Sequence, residues 1–229
     1  MIKSSFISGK ASERQKVDDN ALRDLKKLIS AGENLRLEFK AKANHPDKLA
    51  RSMCAFANSS GGILLLGIND DGSIGGVRYP DEDIHAITRI LGTARPFVKY
   101  KYSIIPVSEK KSVVRFNISE SRRKPVSLRM DQGKVFIRSA DECLQAGPVL
   151  KAVLKIHSSP RGSLISFGEE EKMILGLFKT NNSLTFNKIS ATTGIASGKL
   201  LGKLSVLVAA GILRLTPGEP EESFRMNMS

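Results

Sequence analysis

Arg122, Arg123 and Lys124 stand side by side between two strand-like stretches, with Arg115, Arg129, Lys134 and Arg138 close by in the chain. Adjacent cations on a loop can meet successive phosphate oxygens and supply salt-sensitive affinity that ignores base sequence. As a solvated hairpin tip the same loop would bind nothing, and Arg138, inside a strand, has the option of an internal ion pair. Farther on, Lys199 and Lys203 lie on a helix with small and hydroxyl-bearing neighbours, a sparse set for base or phosphate contact. His45, His85 and His157 are too far apart, and lack cysteine partners at finger spacing, for a structural zinc site. Cys54 and Cys143 form no CxxC, and Cys54, on an apolar helical stretch, reads as a buried thiol. Gly61-Gly62 is followed by neither the Lys nor the hydroxyl of a phosphate-binding loop, so no ATP is expected.

The chain has 229 residues and a formal charge of +13, more than solubility requires. Residues 166–229 carry only +1 of it, which leaves +12 before them. Such a field attracts nucleic acid, an anionic membrane or an acidic protein, and composition does not choose among them. The longest apolar run, Ile63-Leu64-Leu65-Leu66, is far short of a bilayer span, and the N-terminal residues carry no secretory pattern. A cytoplasmic protein without membrane contact is expected.

These cations must be carried by a scaffold that periodicity outlines. Val17, Ala21, Leu25, Leu28 and Ile29 predict one helical face ending before Gly32, and Leu35, Leu37 and Phe39 alternate as a strand. Asn44-His45-Pro46 supplies a cap and a helix-compatible Pro for a helix that ends at Gly61-Gly62. Ile63–Ile68 is apolar on both parities, as in an interior strand, and Asn69-Asp70-Asp71-Gly72 turns the chain. A helix over Asp81–Leu91 precedes strands at Tyr100–Val107, Ser112–Ile118 and Lys134–Arg138. The fold class is α/β with a mixed sheet. Near the C-terminus, apolar spacing predicts three helices, at Glu170–Phe178, around Leu184–Ile189 and over Ala196–Ala210, before the strand Ile212–Leu215. Three helices and a hairpin predict a small winged helix-turn-helix domain whose third helix would face a DNA groove. The expected division is a flexible N-terminus at 1–16, an α/β domain at 17–147, a connecting helix and linker at 148–167, the winged helix at 168–218 and a tail at 219–229.

Glu33-Asn34-Leu35-Arg36-Leu37-Glu38-Phe39-Lys40, then Cys54-Ala55-Phe56-Ala57-Asn58-Ser59-Ser60-Gly61-Gly62, then Gly67-Ile68-Asn69-Asp70-Asp71-Gly72 resemble the Schlafen AlbA-like domain in order and spacing. Lys124-Pro125 and Val135-Phe136-Ile137-Arg138 extend the resemblance, which covers about residues 20–147. It implies a DNA-binding, transcriptional-regulator-like protein, because bacterial members often join this domain to a winged helix. It also implies an alternative, since animal relatives include RNA nucleases that use three carboxylates.

The positions matching those carboxylates are Glu33, Glu38 and Asp70. Brought together, they could hold Mg or Mn and activate water against a phosphodiester in structured RNA. Glu33 and Glu38 have opposite parity on a straight strand, so convergence requires Glu33 to lie in the turn after Gly32. The plainer reading makes Glu38 the polar face of a strand, Glu33 the support of a turn and Asp70 a turn-stabilising acid. Binding, with Arg122, Arg123, Lys124, Arg129, Lys199 and Lys203 as contacts and no required cofactor, is the expected function, with DNA as partner. A protein-interaction module is the third possibility. The resemblance further implies a homodimer, because relatives set two such domains face to face and this chain has one recognisable copy.

Overall fold

A computed structural model describes residues 19–159, 167–218 and 221–227. The expected flexible N-terminus, Val17 and most of the Ser158–Gly162 linker lie outside the described residues. Helix α1 (Asp19–Ser30) leads to strand β1 (Leu37–Lys40), helix α2 (Pro46–Asn58) and strand β2 (Gly62–Leu66). Strands β1 and β2 pair in parallel through this crossover, with Leu37 opposite Ile63. Helix α3 (Pro80–Leu91) precedes the hairpin β3 (Tyr100–Ser108) and β4 (Lys111–Ile118), whose β4 joins β2 antiparallel. The sheet order β1-β2-β4-β3 is therefore mixed, with β3 at one edge. An outlying edge suits β3, which contains Pro106 and an exposed Lys101, residues that resist further strand pairing.

Alternation along the strands divides the apolar side chains between two layers. Leu64, Leu66, Val114, Phe116 and Ile118 meet α2 and α3 on one face; Leu65, Val113 and Ile105 meet Leu25 of α1 on the other. Helix α2 is buried along nearly its whole length from Leu49 to Asn58, because the sheet, α3 and a second hairpin enclose it. That hairpin is β5 (Phe136–Ser139) with β6 (Glu142–Gln145), of which the sequence pattern showed only the first strand. The N-cap of α2 is His45, without a side-chain capping bond, so Asn44 does not cap this helix. Gly61 ends the α2 turn at φ +71°, and a Cβ there would lie 2.7 Å from the Ile118 carbonyl. Only glycine admits that approach, which sets the end of α2 against the end of β4.

Helix α4 (Pro148–Ser158) belongs to two cores at once. Val149 and Val153 pack in the C-terminal cluster, while Leu154 and Leu150 meet Val135, Ile137 and Ala146 of the first domain. The stretch expected to connect therefore also packs. The C-terminal cluster is completed by helices α5 (Glu169–Leu177), α6 (Phe186–Thr193) and α7 (Ser197–Ala209) and by a small antiparallel sheet of β7 (Leu184–Thr185), β8 (Leu213–Thr216) and β9 (Ser223–Met226), in the order β7-β9-β8. Strand β9 occupies residues expected to be a tail, and its Phe224 is fully buried. Glu222, just before β9, accepts from the backbone N–H of Val149 and Leu150 at 3.0 and 2.9 Å. It satisfies donors that the first turn of α4 leaves free. Among the described residues, no helix is long and apolar enough to cross a membrane.

Candidate nucleic-acid interface

The pleat of β1 sends Leu37 and Phe39 toward α1 and Glu38 to the opposite face, against α2 and β5. Glu38 is buried there, and its carboxylate accepts from Arg138 Nη1 at 2.8 Å, Ser52 Oγ at 2.9 Å and Lys40 Nζ at 2.8 Å. Arg138, also buried, donates its other terminal nitrogen to the carbonyls of Asn34 and Asp141 and lies 4.8 Å above the Phe56 ring. The internal option for Arg138 is the one taken, so it is withdrawn from any external phosphate. Glu33 does sit in the turn after Gly32, where its carboxylate accepts from the Phe39 N–H at 2.7 Å. Asp70 is exposed in the turn after Ile68, and the turn-stabilising bond comes from its neighbour, Asp71 Oδ1 accepting from Ser73 N at 2.8 Å. The trio of Glu33, Glu38 and Asp70 that the nuclease alternative needs is not gathered: among the described residues no three His, Cys, Asp or Glu side chains are placed to hold a metal ion.

The basic loop is positioned by the end of α2. Asn58 accepts from Val126 N at 2.7 Å and donates to the carbonyls of Val126 and Phe136, while Ser121 N donates to the Ala57 carbonyl. Within this loop the three adjacent cations divide. Lys124 turns inward, its side chain 13% exposed, and donates to the Ser59 carbonyl at 3.0 Å and to Glu120 at 2.6 Å. A cation over the last carbonyls of a helix is favoured by the helix dipole, which is why this lysine is removed from the expected contact set. Arg122 and Arg123 stay exposed, and Ser121 Oγ, by donating to the Arg123 carbonyl, orders their turn. Arg129 is exposed on a short 3-10 turn, Arg129–Asp131.

Two residues that sequence reasoning passed over join Arg122 and Arg123. Lys99 is exposed and accepts at its carbonyl from Ser119 N, which sets it beside the loop. Phe97 lines the same groove of about 610 Å3 with Lys99, Arg122 and Arg123 and is 63% exposed. Strand register extends the basic surface: Lys101 stands opposite Asn117, and Arg115 opposite Ser103, on the face that α1 leaves partly uncovered. Among the described residues no carboxylate pairs with Lys99, Lys101, Arg115, Arg122 or Arg123. Phe97 and Val98 are both apolar, so nothing in the chain distinguished the exposed ring from its buried neighbour or showed its nearness to Arg122.

The cations of α7 are held differently. Lys199 meets Glu170 at 2.6 Å, and Lys203 meets Glu170 at 2.9 Å and Glu171 at 2.5 Å. Hydrogen bonds from the lysines hold both glutamates below the usual carboxylate range, and the same bonds raise Lys203. Lys199 and Lys203 are thus each engaged with a carboxylate, because the acidic first turn of α5 lies against α7. The cavity of about 660 Å3 between α4, α6 and α7 offers no alternative anion site, because among the described residues its charged lining is Glu221 and Glu222.

A parallel β-α-β unit with an antiparallel hairpin added, and a loop of unpaired arginines tied to the end of the buried helix, define a mixed α/β domain built to display positive charge. The Schlafen, AlbA_2 family model matches residues 33–147, half of the chain, and the protein belongs to that family. This membership suggests a nucleic-acid-related function. Among solved structures, the chain is similar to the DIP2311 protein from Corynebacterium diphtheriae, with 13% identity and a TM-score of 0.43. The match covers 90% of this chain and 50% of that protein, so this chain spans about half its length.

Proposed function

We propose that the protein binds DNA through the AlbA_2 domain and acts as a transcriptional-regulator-like factor. The observation that carries this reading is the gathering of Lys99, Lys101, Arg115, Arg122 and Arg123, none in an ion pair among the described residues, at the β3–β4 end of the sheet. Each phosphate neutralised by such a surface releases counterions, so affinity falls steeply with salt. The C-terminal helices and sheet follow the element order of a winged helix, α5-β7-α6-α7-β8-β9. With Lys199 and Lys203 engaged by α5, this module orients the complex or meets a partner protein while the first domain supplies affinity. The burial of Glu38 against Arg138 favours binding over carboxylate chemistry. A pair of chains related by a two-fold axis would double the basic surface, and we propose a homodimer formed through the AlbA_2 domain.

Titrating a duplex at several salt concentrations tests the assignment. Wild-type protein should bind with a steep salt slope, and Arg122→Ala with Arg123→Ala should lower that slope by about two, at about 0.9 per lost phosphate contact. An unchanged slope would remove the loop from the interface. Light scattering that gives a mass near 25.0 kDa at every concentration would reject the homodimer.

A further inference from the structure

The groove beside the basic loop contains a group that phosphate binding does not explain. Phe97 presents its ring to solvent, although a buried ring would be more stable. Its orientation is imposed from both sides. Val98 is fully buried next to it, and Arg95 pairs backbone to backbone with Ser127, at 2.9 Å from its N–H and 3.0 Å to its carbonyl. Arg95 Nη1 also closes the end of α3 by donating to the carbonyls of Gly92 and Ala94. On the other wall, Ser119 N donates to the Lys99 carbonyl, which joins the two sides of the groove. The one carboxylate in the groove, Glu120, is taken by Lys124, which leaves Lys99, Arg122 and Arg123 as its unpaired charges among the described residues.

We propose that this groove holds an unpaired nucleotide of single-stranded DNA, with the base stacked on Phe97 and the flanking phosphates against Arg122, Arg123 and Lys99. The inference rests on the DNA-binding reading above and specifies the form of DNA this site takes. Stacking on an aromatic ring requires an accessible base face, and in an intact duplex both faces of each internal base are covered by neighbours. A duplex would therefore use the cations and leave Phe97 idle. An acidic peptide would likewise satisfy the cations without a π-face to cover the ring.

The test uses the full chain and three probes of equal length: an oligothymidylate carrying one 2-aminopurine, a duplex, and an oligouridylate. Phe97→Ala should weaken oligothymidylate binding by about tenfold and abolish the quenching of 2-aminopurine, while duplex affinity and its salt slope stay unchanged. Phe97→Trp should restore both signals. Because Phe97 is exposed, a melting curve unchanged in Phe97→Ala shows that the fold is intact. If wild-type protein binds the duplex but Phe97→Ala leaves oligothymidylate affinity intact, the stacking site is overturned while the DNA-binding reading stands. If no DNA probe binds wild-type protein, the DNA-binding reading itself fails. Tighter binding of the oligouridylate than of the oligothymidylate, or competition by polyglutamate as strong as by oligothymidylate, overturns the assignment to single-stranded DNA.

Discussion

The two halves of the chain use their charged residues in opposite ways. The AlbA_2 domain buries an ion pair, Glu38 with Arg138, and leaves Arg122 and Arg123 open to solvent. The C-terminal module instead pairs the cations of α7 with the acids of α5 near its surface. A buried pair ties together elements distant in sequence, β1 and β5, and leaving either partner alone there is costly. A surface pair contributes little stability but neutralises charge that would otherwise attract an anion. Net charge along the chain therefore overstates what α7 can offer and understates how concentrated the first domain's surface is.

The strongest way to break this contrast is to break the buried pair. Arg138→Ala should destabilise the first domain by about 3–5 kcal/mol, because Glu38 would remain buried with only Lys40 and Ser52 for partners. Replacing both by apolar residues, Glu38→Met with Arg138→Met, should recover much of the loss. Urea unfolding measures both, and additive losses in the double variant would show that the two groups do not depend on one another.

The next effect is on binding. Arg122→Ala with Arg123→Ala should reduce duplex affinity by about tenfold near physiological salt, whereas Lys199→Ala with Lys203→Ala should change it less than about twofold. If the α7 variant has the larger effect, the lysines leave Glu170 and Glu171 on binding, and the C-terminal module is the main contact.

A pH profile sharpens the comparison further. Glu170 and Glu171 are held below their ordinary value of 4.5 by the lysine hydrogen bonds, so their contribution is fully present above 4.5 and lost as pH falls through the lowered folded values. Lys203 is raised above 10.5, so its contribution is present below 10.5 and lost as pH rises through the raised value. The Lys203→Ala variant should thus lose a small increment of melting temperature near neutrality, and the difference from wild type should vanish in strong acid. A difference that persists in acid would assign the effect to lost packing by the lysine stem.

The smallest signal concerns the thiols. Burial pushes Cys54 up to about 12 and Cys143 up to about 11, so neither forms appreciable thiolate at neutral pH. Alkylation of the folded protein should be slow at both and become rapid on denaturation. Fast native labelling of Cys143 would show that β6, which carries this half-buried thiol, comes away from the rest of the domain.

Local chemistry alone determined much of the scaffold. Apolar spacing located α2, α3, β3 and β4 to within a few residues, because amphipathic periods of 3.6 and 2 arise wherever one face meets a core. The Glu-Phe-Lys and Gly-Gly motifs carried the family resemblance, and family membership holds over 33–147. Strand β6 escaped notice because Glu142-Cys143-Leu144-Gln145 does not alternate, and strand β9 because it follows an acidic, proline-containing stretch that reads as a tail. Partner choice was beyond local reading altogether. Arg138 lies 100 residues from Glu38, Lys203 lies 32 from Glu171, and Lys124 lies 65 from the Ser59 carbonyl it reaches. A chain shows which side chains carry charge; only the tertiary fold decides which of those charges meet one another and which, as at Arg122, Arg123 and Lys99, still face water.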